Sequence, residues 1–379
     1  MQIVVAPGSF KECLTATQVA AAIYKGIKQA DPEAGITCIP LADGGQGTAE
    51  ALITATGGKI IQAPSVDALN RLIQSFYGIL GDGKTAVIEM AAASGLELLA
   101  PGERNPLITS TFGTGLLIKS AMEAGLTQII LGIGGSATND GGAGMAQALG
   151  FALLDKNGKP ILRGGGHLGE LQTIDRFKIH PLLKNVKIKV ACDVRNPLLG
   201  PSGATRVYGI QKGATPEMLK TLEANMTHFA RIIQHELGKD VAGIPGAGAA
   251  GGLGAGLMAF CHSEMVSGFE LISKMVNLED RIREASLVFT AEGKIDSQTV
   301  FGKTVSGVAR LAKKYKVPAI ALAGMVSDDL TELYEQGLTS VFAIGNQPMS
   351  LKTSKLLAEE LLAGTSERII RLVRGLDLK

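Results

Sequence analysis

The chain has 379 residues, 37 basic against 35 acidic, and a net charge of +2. That balance excludes an electrostatic nucleic-acid surface, since no Lys/Arg-rich block or basic-aromatic stripe stands out against it. A length well beyond about 250–300 residues favours two domains, and 49 glycines, nearly twice the usual share of about 7%, provide many positions for positive φ or close ligand approach.

In chain order, the strand QIVVA comes first, then a helix opened by a T-x-x-Q capping box at Thr15 and Gln18. The strand ITCIPL and the helix AEALITAT, closed by Gly57 and Gly58, form a second βα unit around the loop DGGQG. Residues 59–90 read as short strands (KIIQA, LIQSFYGILG, TAVIEMA) with a D-G turn at Asp82 and Gly83. The helix–strand pair TFGTGLLIKSAMEAG and QIILGIGG follows, and residues 150–212 mix strands, turns and Gly-rich loops. Residues 241–261 carry no charge, yet Pro245 and repeated glycines favour a buried or ligand-facing Gly-rich turn before the helix GAGLMAFC over a membrane span. A formal GxGxxG at Gly246, Gly248 and Gly251 lacks the preceding strand, so dinucleotide binding is discounted. The C-terminal part alternates LVFTA, SGVARLAKKY, VPAIALAG, DDLTELYEQG and SVFAIG before a long helix from about Leu351.

This order predicts an α/β protein of two domains. Residues 1–60 and 270–379 form a Rossmann-like, doubly wound parallel sheet, and 61–269 an inserted mixed α/β domain; segment 105–147 is compatible with either. Cys13, Cys38, Cys192 and Cys261 show no metal spacing, and the N-terminus has no export pattern, so free thiols in the cytoplasm are expected.

Four strand-like runs end in glycines, acids and hydroxyls before a helix-forming run, the place where open α/β sheets bind anionic ligands. Ser9 and Lys11 can meet a phosphate there, or form a solvated turn. Asp43 can hold Mg²⁺, orient a hydroxyl, or merely shape a turn. In GIGGSATNDGGAG, Ser136, Thr138 and Asn139 offer donors to phosphoryl oxygens and Asp140 an acid for a metal. Thr109, Ser110, Thr111 and Thr114 exceed what one helix cap needs. Asp193, leaving an apolar strand, is a candidate general base, and Arg195 a candidate partner for a substrate carboxylate, an internal salt bridge being the competing reading. Glu292, Lys294, Asp296, Ser297, Thr299 and Lys303 form the densest cluster. Its tail SQTVFGKT narrowly misses a P-loop, and the five histidines form no triad.

The motifs APGSFKE, LADGGQGT, NPLITSTFGTG, GIGGSATNDGGAGMAQALG, VACDVRNPLLGPSGAT, QKGATPEM, PGAGAAGGLGAGL and EGKIDSQT resemble, in order and over almost the whole length, the bacterial glycerate kinase family. The resemblance implies ATP-dependent, Mg²⁺-requiring phosphorylation of D-glycerate, with 2-phosphoglycerate favoured over the 3-isomer, and a two-domain fold with a cleft between the domains. Three positions depart from the family pattern: Gly8 replaces an aspartate, Gln46 a glutamate and Lys294 an arginine.

On this reading Asp193 orients or deprotonates the acceptor hydroxyl, with Asp296 and Lys11 in the catalytic set and Mg²⁺ held by Glu292, Asp296 or Asp140. Ser9, Asp43, Ser136, Thr138, Asn139, Arg195, Lys294 and Ser297 bind substrate or phosphate. Neither nucleic acid nor membrane is an expected partner, and the oligomeric state is left open. The alternatives are an impaired paralogue that binds without turnover, which Gly8 and Gln46 make thinkable, and, more weakly, an NAD-dependent oxidoreductase.

Overall fold

The computed structural model describes residues 1–10, 13–41, 45, 47–300 and 304–376, the side chains of Ser297 and Gln298 excepted. The chain divides into two compact units, Met1–Asp43 with Phe269–Lys379, and the inserted Gly44–Gly268. The first unit opens with β1 (Gln2–Val5), α1 (Ala16–Ala30) and β2 (Gly35–Cys38). The inserted unit runs through α2 (Thr48–Thr56), β3 (Lys59–Val66), β4 (Leu72–Ile79), β5 (Thr85–Glu89), α3 (Ala91–Ser94), α4 (Phe112–Glu123), β6 (Gln128–Gly132) and α5 (Ala143–Ala148). It continues with β7 (Ala152–Leu154), β8 (Thr173–Asp175), β9 (Lys187–Ala191), α6 (Ala204–Tyr208), α7 (Pro216–Leu237), α8 (Ala249–Cys261) and β10 (Glu264–Val266). The first unit resumes with α9 (Gly268–Met275), α10 (Leu278–Arg283), β11 (Leu287–Ile295), α11 (Thr304–Tyr315), β12 (Ala319–Val326), α12 (Thr331–Gln336), β13 (Ser340–Ala343), α13 (Leu351–Leu356) and α14 (Ala358–Gly375).

In the first unit, α1 starts where its capping box places it. Thr15 Oγ1 accepts from Gln18 N at 3.2 Å and Gln18 Oε1 from Thr15 N at 2.9 Å, satisfying two donors that helix geometry leaves open. The five strands are all parallel in the order β2-β1-β11-β12-β13. Alternate residues Ile3, Val5, Leu287, Phe289 and Ala291 join a core with Val19, Ile23 and Ile27 of α1 and Leu362, Ile369 and Ile370 of α14, while α11 packs on β11 and β12. The sheet is thus doubly wound. After β1 the chain turns one way to β2, and from β11 it proceeds the other way, so the topological switch point lies between β1 and β11. The long terminal helix expected from Leu351 is interrupted at Leu357, where α13 ends and α14 begins.

The inserted unit carries a six-stranded sheet, β10-β9-β6-β5-β4-β3, parallel from β10 to β5 and antiparallel beyond. The β4–β5 turn forms where the D-G pair stands: Gly83 adopts φ +66°, and Asp82 accepts from Thr85 Oγ1 at 2.6 Å and from the Lys84 and Thr85 amides at 2.9 Å. The boundary falls at Asp43, where composition suggests about 60, because α2 packs on β4 and β5. Segment 105–147, open to either assignment from sequence, lies in this unit. The uncharged stretch 241–261 forms a turn whose tip at 243–245 is exposed, followed by the buried α8; among the described residues no helix is long and apolar enough to cross a membrane.

Candidate functional site

The first unit gathers chemistry at its switch point. Ser9 is half-buried just beyond the carboxyl end of β1, and the Gly8 amide donates to Ala291 O at 2.8 Å, tying this loop to β11. A Cβ at Gly8 would lie 3.3 Å from Ala291 O and 3.4 Å from Thr304 Cγ2, so the aspartate of the family pattern fits only if these neighbours give by a few tenths of an ångström. On β11, Glu292 and Lys294 are two apart and point to the same face, away from Ala291 and Phe289. Asp296 follows, paired to Lys294 Nζ at 2.7 Å, its amide donating to Thr299 Oγ1 at 3.0 Å. Lys11, Asp43, Gln46 and Lys303, and the side chain of Ser297, lie outside the described residues.

The inserted unit gathers a second set at the carboxyl ends of β6, β9 and β10. Asp193 is two residues past β9 and half-buried; its Oδ1 accepts from Ser267 Oγ at 3.1 Å and Gly268 N at 3.0 Å. Arg195 beside it is exposed. The turn that bears them leans on the Gly-rich segment before α8, with Gly248 N donating to Asn196 O at 3.0 Å. That segment in turn packs on the β6 loop: Gly251, at φ +66°, comes so close that a Cβ there would lie 1.9 Å from Thr138 O. Only glycine fits that position, and this close backbone approach, not a dinucleotide, accounts for the GxGxxG spelling.

The β6 loop differs from its expected role. Ser136, Thr138, Asn139 and Asp140 are all buried. Asn139 Nδ2 donates to Thr205 Oγ1 at 3.0 Å. Asp140 Oδ2 accepts from Thr111 N (2.8 Å), Thr111 Oγ1 (2.9 Å) and Gly144 N (3.2 Å), and Oδ1 from Gly142 N (3.2 Å). Burial pushes its carboxyl up from the usual value while those four donors pull it back. With three of these donors on Oδ2 and one on Oδ1, Asp140 is bound into the loop that starts α5. The surplus hydroxyls behave alike: Thr109 Oγ1 donates to Ala137 O at 2.9 Å and Thr114 Oγ1 to Ser94 Oγ at 2.9 Å. Glu89 plays a matching role for α2, its Oε1 accepting from Ala49 N at 2.7 Å. Burial raises its pKa and the amides of Ala49, Gly47 and Thr48 oppose the rise. The start of α2, expected to face a ligand, is therefore filled by the protein's own carboxylate.

Sequence reasoning missed Lys212, which is fully buried and donates from Nζ to Thr138 O at 2.7 Å. Nothing local marks it; only the family motif QKGATPEM contains it. Burial drives its pKa from 10.5 down to about 7, against the pull of Asp140. Below about pH 7 the folded and unfolded chains both carry this proton. Between about 7 and 10.5 only the unfolded chain does, so stability rises with pH through that window, by at most about 1.4 kcal/mol per unit. Urea unfolding from pH 6 to 10 is expected to show this rise, and Lys212→Met, which removes a buried charge at similar volume, to flatten it. Equal slopes in the two proteins would place the ammonium in water.

The β1 and β11 ends can hold anionic groups and a divalent cation, while the β9 turn offers an acid to a hydroxyl and a guanidinium to a carboxylate. Comparison with known proteins places the chain in a family. A sequence model of the glycerate kinase family matches residues 3–374. The chain is 50% identical over 367 residues to a glycerate kinase of Halalkalibacterium halodurans, covering 97% of each. It is 49% identical over 376 residues to the glycerate 2-kinase of Escherichia coli, covering 99% of this chain and 97% of that one. A crystal structure described as a glycerate kinase 2 of Salmonella typhimurium LT2 superposes with a TM-score of 0.88 at 44% identity, covering all of both chains. With similarity running from end to end, the chain belongs to the glycerate kinase family and is an enzyme of that class.

Proposed function

We propose that this enzyme transfers the γ-phosphoryl group of ATP to a hydroxyl of D-glycerate, giving 2-phosphoglycerate. The observation that carries this reading is the similarity, over 99% of the chain, to a protein named glycerate 2-kinase. Phosphoryl transfer asks the protein mainly to position groups and balance charge, and the residues suit that demand. Asp193, held through Oδ1 by Ser267 and Gly268, accepts the proton of the attacking hydroxyl. Arg195, exposed in the same turn, takes the glycerate carboxylate with its planar fork. Ser9, Lys11, Lys294 and Ser297 hold phosphoryl oxygens, and Asp43 orients a hydroxyl or binds metal.

Mg²⁺ is typically held by one or two carboxylates together with substrate phosphates. Glu292 and Asp296, at the carboxyl end of β11, fit that donor set; Asp140, with four protein donors on its oxygens, does not. When bound, the ion neutralises charge on the transferring phosphoryl group. Of the buried Ser136, Thr138 and Asn139, Asn139 braces the β6 loop through Thr205.

Incubating the purified protein with ATP, Mg²⁺ and D-glycerate is expected to yield ADP and a ³¹P resonance of 2-phosphoglycerate. A 3-phosphoglycerate signal would reassign the hydroxyl attacked. Glycerate binding without product would favour an impaired paralogue and direct attention to Gly8 and Gln46.

A further inference from the structure

A cavity of about 860 Å³ lies in the inserted unit, with walls that include Ile108, Phe112, Phe151 and Leu162. That volume is in the range of small-molecule sites, about 300–1,000 Å³. Its charged lining residues are Arg163, His167 and Lys178, and no carboxylate lines it. His167 is already engaged, with Nδ1 2.9 Å from Glu170 Oε1. Arg163 is not neutralised: its guanidinium stacks on the Phe112 ring with Cζ 3.2 Å from the centroid, and Nη1 donates to the neutral Asn70 Oδ1 at 2.7 Å. Among the described residues no acid pairs with it, although burial penalises its charge. A half-buried, immobilised guanidinium with unused donors is pre-organised for a planar or tetrahedral anion.

Ile108 and Phe112 also flank the hydroxyls of Thr109 and Thr111, which hold Ala137 O and Asp140 on the β6 loop.

We propose that this cavity is a ligand site in its own right, taking a small organic anion with an apolar body: the acid group on the Arg163 fork, with Lys178 in the same lining, and the body against Phe112 and Leu162. The proposal does not depend on the phosphoryl-transfer reading, and its test reads binding alone.

The probes are 8-anilinonaphthalene-1-sulfonate and its neutral counterpart N-phenyl-1-naphthylamine, titrated by fluorescence against the full chain. The unaltered protein is expected to prefer the anionic probe by about tenfold or more, the worth of a charge-assisted pair. Arg163→Gln is expected to erase that preference and to change neutral-probe affinity less than about twofold. Leu162, 67% exposed, gives a second variant that leaves the core untouched: Leu162→Glu sets a negative charge at the rim and is expected to weaken the anionic probe selectively. No binding to the unaltered protein, equal affinity for the two probes, or unchanged anionic affinity in both variants would overturn the proposal.

Discussion

Exchanging Asp193 for asparagine is expected to lower turnover of D-glycerate by about 100- to 10,000-fold, the usual contribution of a positioned general base. The substitution is close to isosteric, and the asparagine carbonyl can keep the bonds that Oδ1 accepts from Ser267 Oγ and Gly268 N. The fold is therefore expected to survive, and thermal unfolding of the variant checks that it has. On the proposed mechanism, what is lost is the negative charge that receives the hydroxyl proton as phosphorus–oxygen bond formation advances. The loss belongs on kcat, since glycerate is held elsewhere, by Arg195 in our reading. Steady-state kinetics with ATP saturating separates the two parameters. Near-normal kcat in Asp193→Asn would end the assignment of Asp193 as base and leave the residue as a brace for the β10 end.

The largest effect on stability is expected at Asp140, because four donors converge on one carboxylate that has no access to solvent. Asp140→Ala strands the Thr111 amide and hydroxyl and the Gly142 and Gly144 amides and, below about pH 7 where Lys212 carries its proton, removes the charge that offsets that ammonium. Leaving buried polar groups and a buried charge unmet costs about 3–5 kcal/mol. Asp140→Asn, which keeps one acceptor oxygen but turns an NH₂ toward the donors, is expected to fall between the two. Calorimetric unfolding of both variants provides the measurement. A loss below about 1 kcal/mol for Asp140→Ala would mean that water replaces the carboxylate, and that the loop is less closed than its burial indicates.

Much of the fold follows from signals that act over a few residues. Thr15 and Gln18 set the start of α1, Gly57 with φ +68° ends α2, and Asp82–Gly83 turns β4 into β5. Alternating strand and helix patterns at both ends of the chain are enough to imply a doubly wound sheet, and the motif series identifies the family. The tertiary structure decided how each acid is held. Asp140 and Asp193 look alike in sequence, each in a Gly- or Pro-rich loop after an apolar strand. One is sealed by two amides of its own loop and by the amide and hydroxyl of Thr111, 29 residues away, the other only half-buried beside Arg195. Glu89 reaches the start of α2 across 40 residues, and Lys212 reaches Thr138 across 74. Capping and turn formation depend on φ, ψ and one nearby side chain, so sequence by itself determines them. The state of a buried charge depends on how many donors and how much low-dielectric surface the folded chain brings around it, and no local pattern encodes that sum.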